Sequence, residues 1–129
     1  MKFSGLRPLA HASNLIDVTL DGVGDVDLRN DAHIEEIRFV PGPEHMTIVV
    51  CFGFDDAARG TVVLEFLEVE LTELEPYLAT GVDPKYGYAL LHGIDHWFDP
   101  EQEREGFSLS CTVFEFSFYA VELRATVVG

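Results

Sequence analysis

The stretch MTIVVCFGF, Met46 to Phe54, constrains the fold more than any other part of the chain. Met46, Ile48, Val50, Phe52 and Phe54 recur at period two, which places them along one side of a β-strand. Val49 and Cys51 make the other side apolar as well, so this strand is expected in the interior of a sheet, covered on both faces.

Its neighbours read the same way. Asn14 to Leu20 carries Leu15, Ile16, Val18 and Leu20 and ends in the turn pair Asp21-Gly22. A polar connection punctuated by Gly22 and Gly24 follows. His33 to Val40 is a second strand, closed by the turn Pro41-Gly42-Pro43-Glu44. After Phe54, the polar run from Asp55 to Gly60 leads into Thr61 to Leu71, a predicted hairpin partner.

That partner, TVVLEFLEVEL, changes phase. Val62, Leu64 and Phe66 alternate first, and then Leu67, Val69 and Leu71 take over. A period-two pattern that slips by one residue implies a bulge, a sharp bend or a change of sheet. The closing aromatic stretch slips too: Phe107, Leu109, Cys111 and Val113 share one phase, and Phe114, Phe116 and Phe118 the other. It reads as one long bulged strand, or as two strands meeting at Phe114 in different sheets.

The middle of the chain is less regular. Thr72 to Leu78 suits a short helical turn with Leu74 and Leu78 on one side. Lys85 to Leu91 either alternates as a strand through Tyr86, Tyr88 and Leu90 or begins a helix running to Phe98, which Pro100 would stop. Five or six strands with at most two short helices predict a mainly-β fold, an antiparallel β-sandwich spanning residues 1–129 as a single domain. A chain of 129 residues is long enough to bury one such core.

Composition narrows the function classes. No apolar run approaches the roughly 20 residues that span a bilayer, and the N-terminal MKFSGLRPLAHAS lacks the apolar centre of a signal peptide. Cys51 and Cys111 both fall in apolar strand patterns and read as buried thiols, with a cross-strand disulfide as the alternative. A reducing, cytoplasmic location is expected. The 23 acids against eight bases give a net charge of −15, which repels nucleic acid and anionic membranes and steers a cationic protein toward the chain. Oligomeric state stays open.

Three polar constellations are candidates for a site. HGIDHWFDP places His92, Asp95, His96 and Asp99 at i, i+3, i+4 and i+7, one face of a helix if the segment is helical. His92 and His96 could then share a divalent ion. Gly93 stands where the metalloprotease motif H-E-x-x-H has its glutamate, and glycine weakens the helix. The plainer account packs Ile94, Trp97 and Phe98 inward and leaves the polar residues wet. Asp17, Asp21, Asp25, Asp27 and Asp31 straddle the first turn, but no EF-hand loop pattern occurs, so solvated turn aspartates explain them better than calcium. Glu65, Glu68, Glu70, Glu73 and Glu75 form a run without a base, either a solvated strand face that discourages edge aggregation or a strip that receives lysine and arginine from a partner.

Catalysis finds no motif. Ser108 and Ser110 lack a nucleophile elbow, Cys111 has no charged neighbour to activate it, and Gly22-Val23-Gly24 lacks the further glycine of a dinucleotide loop. No cofactor is expected.

Asn30-Asp31-Ala32-His33-Ile34-Glu35-Glu36-Ile37, then MTIVVCFGF, then Phe66-Leu67-Glu68-Val69 and the closing FEFSFYAVELRA, together resemble small acidic bacterial β-sandwich domains of unknown function, some of them described as immunity proteins of toxin systems. Asn30 stands where those domains often have histidine. The resemblance implies the fold and brings no catalytic motif. With the charge, it points to a non-enzymatic interaction domain, immunity-like, binding a basic protein partner through Glu65, Glu68, Glu70, Glu73 and Glu75, with Asp95 and Asp99 as secondary contacts. The alternative is a metal-dependent hydrolase or small-molecule binder centred on His92 and His96.

Overall fold

A computed structural model describes residues 1–76, 83–112 and 114–129, and the chain there is mainly β. In order, the strands are β1 (Lys2–Ser4), β2 (Ala12–Leu15), β3 (Asp17–Leu20), β4 (Gly24–Asp27), β5 (Ala32–Pro41), β6 (Met46–Phe54), β7 (Thr61–Pro76), β8 (Leu91–Asp99), β9 (Arg104–Cys111), β10 (Phe114–Ala120) and β11 (Glu122–Val128). Among the described residues the helical content is a single 3-10 turn, Ala57–Arg59, capped by the Asp56 carboxylate accepting from the Ala58 amide.

Nine strands form one sheet. β7 organises it. Its first half pairs with β6 on one edge and β11 on the other, and its second half pairs with β10. The slip in its hydrophobic phase is a bulge: Met46 pairs with Val69 but Ile48 with Phe66, and Glu68 between them has φ 51°. The inward set therefore passes from Val62, Leu64 and Phe66 to Val69, all buried. β10 and β11 are separated by Val121 alone, whose amide donates to Leu67 O, so they bend where β7 bends.

The sheet consequently curls. One half carries β5, β6, β11 and β1, the other β10, β9, β8 and β2, and both share the β7 ribbon. The halves approach each other where Phe39 of β5 meets Phe116 of β10 edge to face at 5.2 Å. Phe66 packs in the same manner on Phe107 and Phe118, at 5.2 and 4.9 Å. The β3–β4 hairpin adds Val18, Leu20 and Val26 to this core.

Mainly-β content matches the sequence. The sandwich expected from the sequence is not confirmed: the phase slips bend β7 and the β10–β11 ribbon instead of ending them, and the nine-stranded sheet curls into a half-barrel beside the two-stranded β3–β4 sheet. The predicted short helices are also corrected. Residues 72–76 continue β7, and 91–99 are β8, paired along their length with β9. Leu78 lies outside the described residues. The last two aromatic strands are hairpin neighbours in one sheet, with Glu115 opposite Ser110 and Ala120 opposite Glu105. Cys51 and Cys111 are thiols. No helix of the described residues is long and apolar enough to cross a membrane.

Candidate functional site

The outward face of the β7–β10–β9–β8 half gathers most of the predicted acidic residues. Phe116 and Phe118 of β10 are buried, so the intervening Glu115, Ser117 and Tyr119 face outward. Directly across on β7 stand Glu75, Glu73 and Glu70 respectively. A second bulge, near Thr72, keeps these three glutamates in phase with the outward side; the Thr72 hydroxyl donates to Ser117 O at 3.0 Å. Leu74 is paired with Phe116 yet stays 53% exposed, so this end of the ribbon is open to solvent.

Like charges directly across a strand pair destabilise it, and Glu75 faces Glu115 while sitting two residues from Glu73. The hydrogen bond and negative charge of Glu73 hold the Glu75 carboxyl above the usual carboxylate value. Such a pair gains from any cation placed beside it.

The other predicted contacts have internal partners. Arg104 pairs with Glu70 (Nη1 to Oε2, 2.5 Å) and lies 4.4 Å over the Tyr119 ring. Tyr119 donates to Asp99 at 2.7 Å, and Asp99 also accepts from the amides of Glu101 and Gln102, closing the turn after β8. Asp95 accepts from the Asn14 amide at 2.7 Å and ties β2 to β8. Glu65 lies on the other half of the sheet, half-buried opposite Arg124 and Val49, and Glu68 occupies the bulge. The outward face thus brings together Glu70, Glu73 and Glu75 and adds Glu115, whose place beside them only strand register reveals.

Asp99 yields a pH expectation. The bond from Tyr119, opposed by slight burial and helped by the two amides, depresses its pKa. A depressed carboxyl stabilises the fold above its unfolded value, ordinarily 3.8, and the contribution is lost as pH falls through the folded value. Urea midpoints of Asp99→Asn, measured against pH, are expected to fall less steeply than wild type below pH 3.8. Parallel acid limbs would mean that the Tyr119 bond is not held in solution.

His92 and His96 do not converge. On a strand rising about 3.3 Å per residue their Cα atoms are about 13 Å apart. His92 is exposed beyond a bulge in β8, whereas His96 is 3% exposed. The segment is anchored by Leu91, Ile94 and His96; Phe98, expected inside, is 47% exposed, and the Trp97 indole lies against Gly106. Gly93 is explained by close approach, since a Cβ there would come within 2.8 Å of Asn14 Cα on the neighbouring strand.

His96 is held on every side. Its ring stacks on Phe107 at 4.5 Å, with 4° between planes, and meets Phe3 and His11 edge-on. Nδ1 lies 3.2 Å from both Leu9 O and Ala10 O. Two carbonyls accept and cannot donate, so Nδ1 carries the proton. Burial, the largest influence, pushes the imidazole below the ordinary histidine value despite the charge of Glu105. Nε2 makes no hydrogen bond, although Glu105 Oε2 is 3.2 Å away. Glu105 Oε2 also lies 2.8 Å from His11 Nε2.

Among the described residues, His11, His96 and Glu105 are the group whose ligand atoms converge, all within 4.8 Å of one another. Two of the aspartates around the first turn have local structural roles: Asp27 closes the turn after β4, accepting from Arg29 N, Asn30 N and Asn30 Nδ2, and Asp25 accepts from Thr19 Oγ1 across the β3–β4 hairpin. Burial, with the charges of Glu36 and Glu35, raises the Cys51 thiol against a partly offsetting Arg38, which makes it a poor nucleophile.

Comparison with known proteins places no relative beside this chain: no family model matches it, and neither the curated proteins nor the solved structures give a match.

Proposed function

We propose that this chain is a non-enzymatic interaction domain, immunity-like in kind, that binds a basic protein partner through the outward face of β7 and β10. The observation that carries the reading is the crowding of Glu73 on Glu75, which lies in register with Glu115 across the β7–β10 pair. A lysine or arginine seated there relieves the repulsion between Glu73 and Glu75. The overall charge of −15 adds long-range attraction for such a partner. Glu70 belongs to this face, and Asp95 and Asp99 shape its border. Glu65 and Glu68 lie off it.

The reading includes a single domain working in the cytoplasm with reduced cysteines. The rival, a metal-dependent hydrolase or small-molecule binder centred on His92 and His96, has less support, since His92 is exposed beyond a bulge and His96 is buried on the same strand. The purified chain is expected to form a complex with the basic product of a neighbouring gene, and the triple variant Glu73→Gln, Glu75→Gln, Glu115→Gln is expected to bind it at least about tenfold more weakly. Failure of every neighbouring-gene product to form a complex would remove the proposal.

A further inference from the structure

His11, His96 and Glu105 come from three separate parts of the chain and meet on the inward side of β8 and β9, away from the acidic outward face. His96 is the informative member. Its Nδ1–H is committed to the carbonyls of Leu9 and Ala10, which fixes the tautomer and leaves a lone pair on Nε2. That lone pair, buried on a side chain 2% exposed, faces a carboxylate oxygen at 3.2 Å and makes no hydrogen bond to it. Two acceptors so close repel each other, and a buried acceptor without a partner costs the fold free energy. A cation between them reverses the sign of the interaction.

We infer that His96 Nε2, His11 Nε2 and a Glu105 carboxylate oxygen form a three-ligand site for a first-row divalent cation, zinc foremost. Two imidazoles and one carboxylate are a zinc donor set that leaves the fourth tetrahedral position to water. Bond lengths of about 2.0–2.2 Å put tetrahedral ligand atoms about 3.3 Å apart. The ligand atoms here are separated by 2.8 Å for His11–Glu105 and 3.2 Å for His96–Glu105, and all lie within 4.8 Å. Small movements of His11, whose side chain is 52% exposed, bring the set to that geometry. His96 already has the outer support a metal-bound histidine needs, a backbone carbonyl on the other ring nitrogen and a stacked ring that fixes its plane. His11, with its side chain 52% exposed, opens the site to solvent. On loading, the His11 Nε2 proton leaves to water while Nδ1 takes one from water, so the ring stays neutral and its Nε2 lone pair turns to the ion.

The test is zinc titration of the metal-free full-length protein by calorimetry, with cobalt(II) as the spectroscopic probe. One equivalent of zinc is expected to bind and raise the melting temperature, and cobalt is expected to show the intense visible bands of a four-coordinate centre. His11→Ala removes an exposed side chain and should leave the fold intact while weakening zinc at least about tenfold; Glu105→Gln should do the same. Glu73→Gln with Glu75→Gln should leave zinc affinity unchanged. Absence of a stoichiometric site overturns the inference, as does zinc binding that survives both His11→Ala and Glu105→Gln. Nitrogen-15 spectra of the metal-free protein add an independent readout: a proton on His96 Nδ1 is expected, and one on Nε2 would replace the metal site with a plain histidine–glutamate hydrogen bond.

Discussion

Phe107→Ala is expected to destabilise the protein by about 4 kcal/mol, read as a lowered urea midpoint with an unchanged slope. Phe107 is 0% exposed, and its ring is shared by three strands besides its own. It meets Phe66 of β7 edge to face at 5.2 Å, stacks on Phe118 of β10 at 5.6 Å and carries the His96 ring of β8 at 4.5 Å. Truncation removes the hydrophobic transfer term and leaves a cavity that β-sheet backbones cannot close, because four strands fix its walls. With domain stabilities of about 5–15 kcal/mol, such a loss takes a large share of the whole. Phe98→Ala, nearby but 47% exposed, should cost less than about 1 kcal/mol. Equal costs at the two positions would mean that the core is not centred on the Phe66–Phe107–Phe118 cluster.

Gly5→Ala is the second large effect, expected at about 2–4 kcal/mol. Gly5 joins β1, which lies parallel to β11, to Leu6, which bridges to Leu20 of the β3–β4 hairpin. It has φ 80°, and a Cβ there would sit 2.1 Å from Ala125 O. The obstacle is backbone, so no rotamer change relieves it; β1 or β11 has to move. Gly22→Ala separates the two contributions. Gly22 has φ 75° with nothing within 4 Å of the added carbon, so its substitution carries only the conformational penalty, about 1 kcal/mol. Matching denaturation curves for the two variants would show that β1 is not seated on β11 in solution.

Which parts of this molecule can be read from the sequence follows from how local each signal is. β6 coincides with MTIVVCFGF because its alternation is internal to nine residues. The bulge in β7 is visible as a phase slip for the same reason, and Glu68 at φ 51° is its physical form. β4 escapes notice because Val26 is its only large apolar residue; Gly24 to Asp27 is a strand through its pairing with β3. The pairing of β9 with β10 is misread because the sequence between Cys111 and Phe114 has no glycine, proline, asparagine or aspartate to signal a reversal. Helical spacing made His92 and His96 look like partners, and strand geometry separates them.

The candidate sites divide along the same line. Glu70, Glu73 and Glu75 are neighbours in the sequence, whereas Glu115 joins them only through the β7–β10 register. His11 and Glu105 stand 94 residues apart, and no spacing rule connects them. One clue was available: Glu105 falls in phase with Phe107, Leu109 and Cys111, an acid on the inward side of an apolar strand. A charge placed there needs a partner, and His11 supplies one at 2.8 Å.

We propose that the outward acidic face of β7 and β10 receives a basic protein. The most direct test is the association rate constant of the captured partner with wild-type protein and with the Glu73→Gln, Glu75→Gln, Glu115→Gln variant, each at low and at high salt. Wild type is expected to associate at least about tenfold faster than the variant at low salt, with the difference collapsing as salt screens the field. Equal rates for the two proteins at low salt would contradict the account.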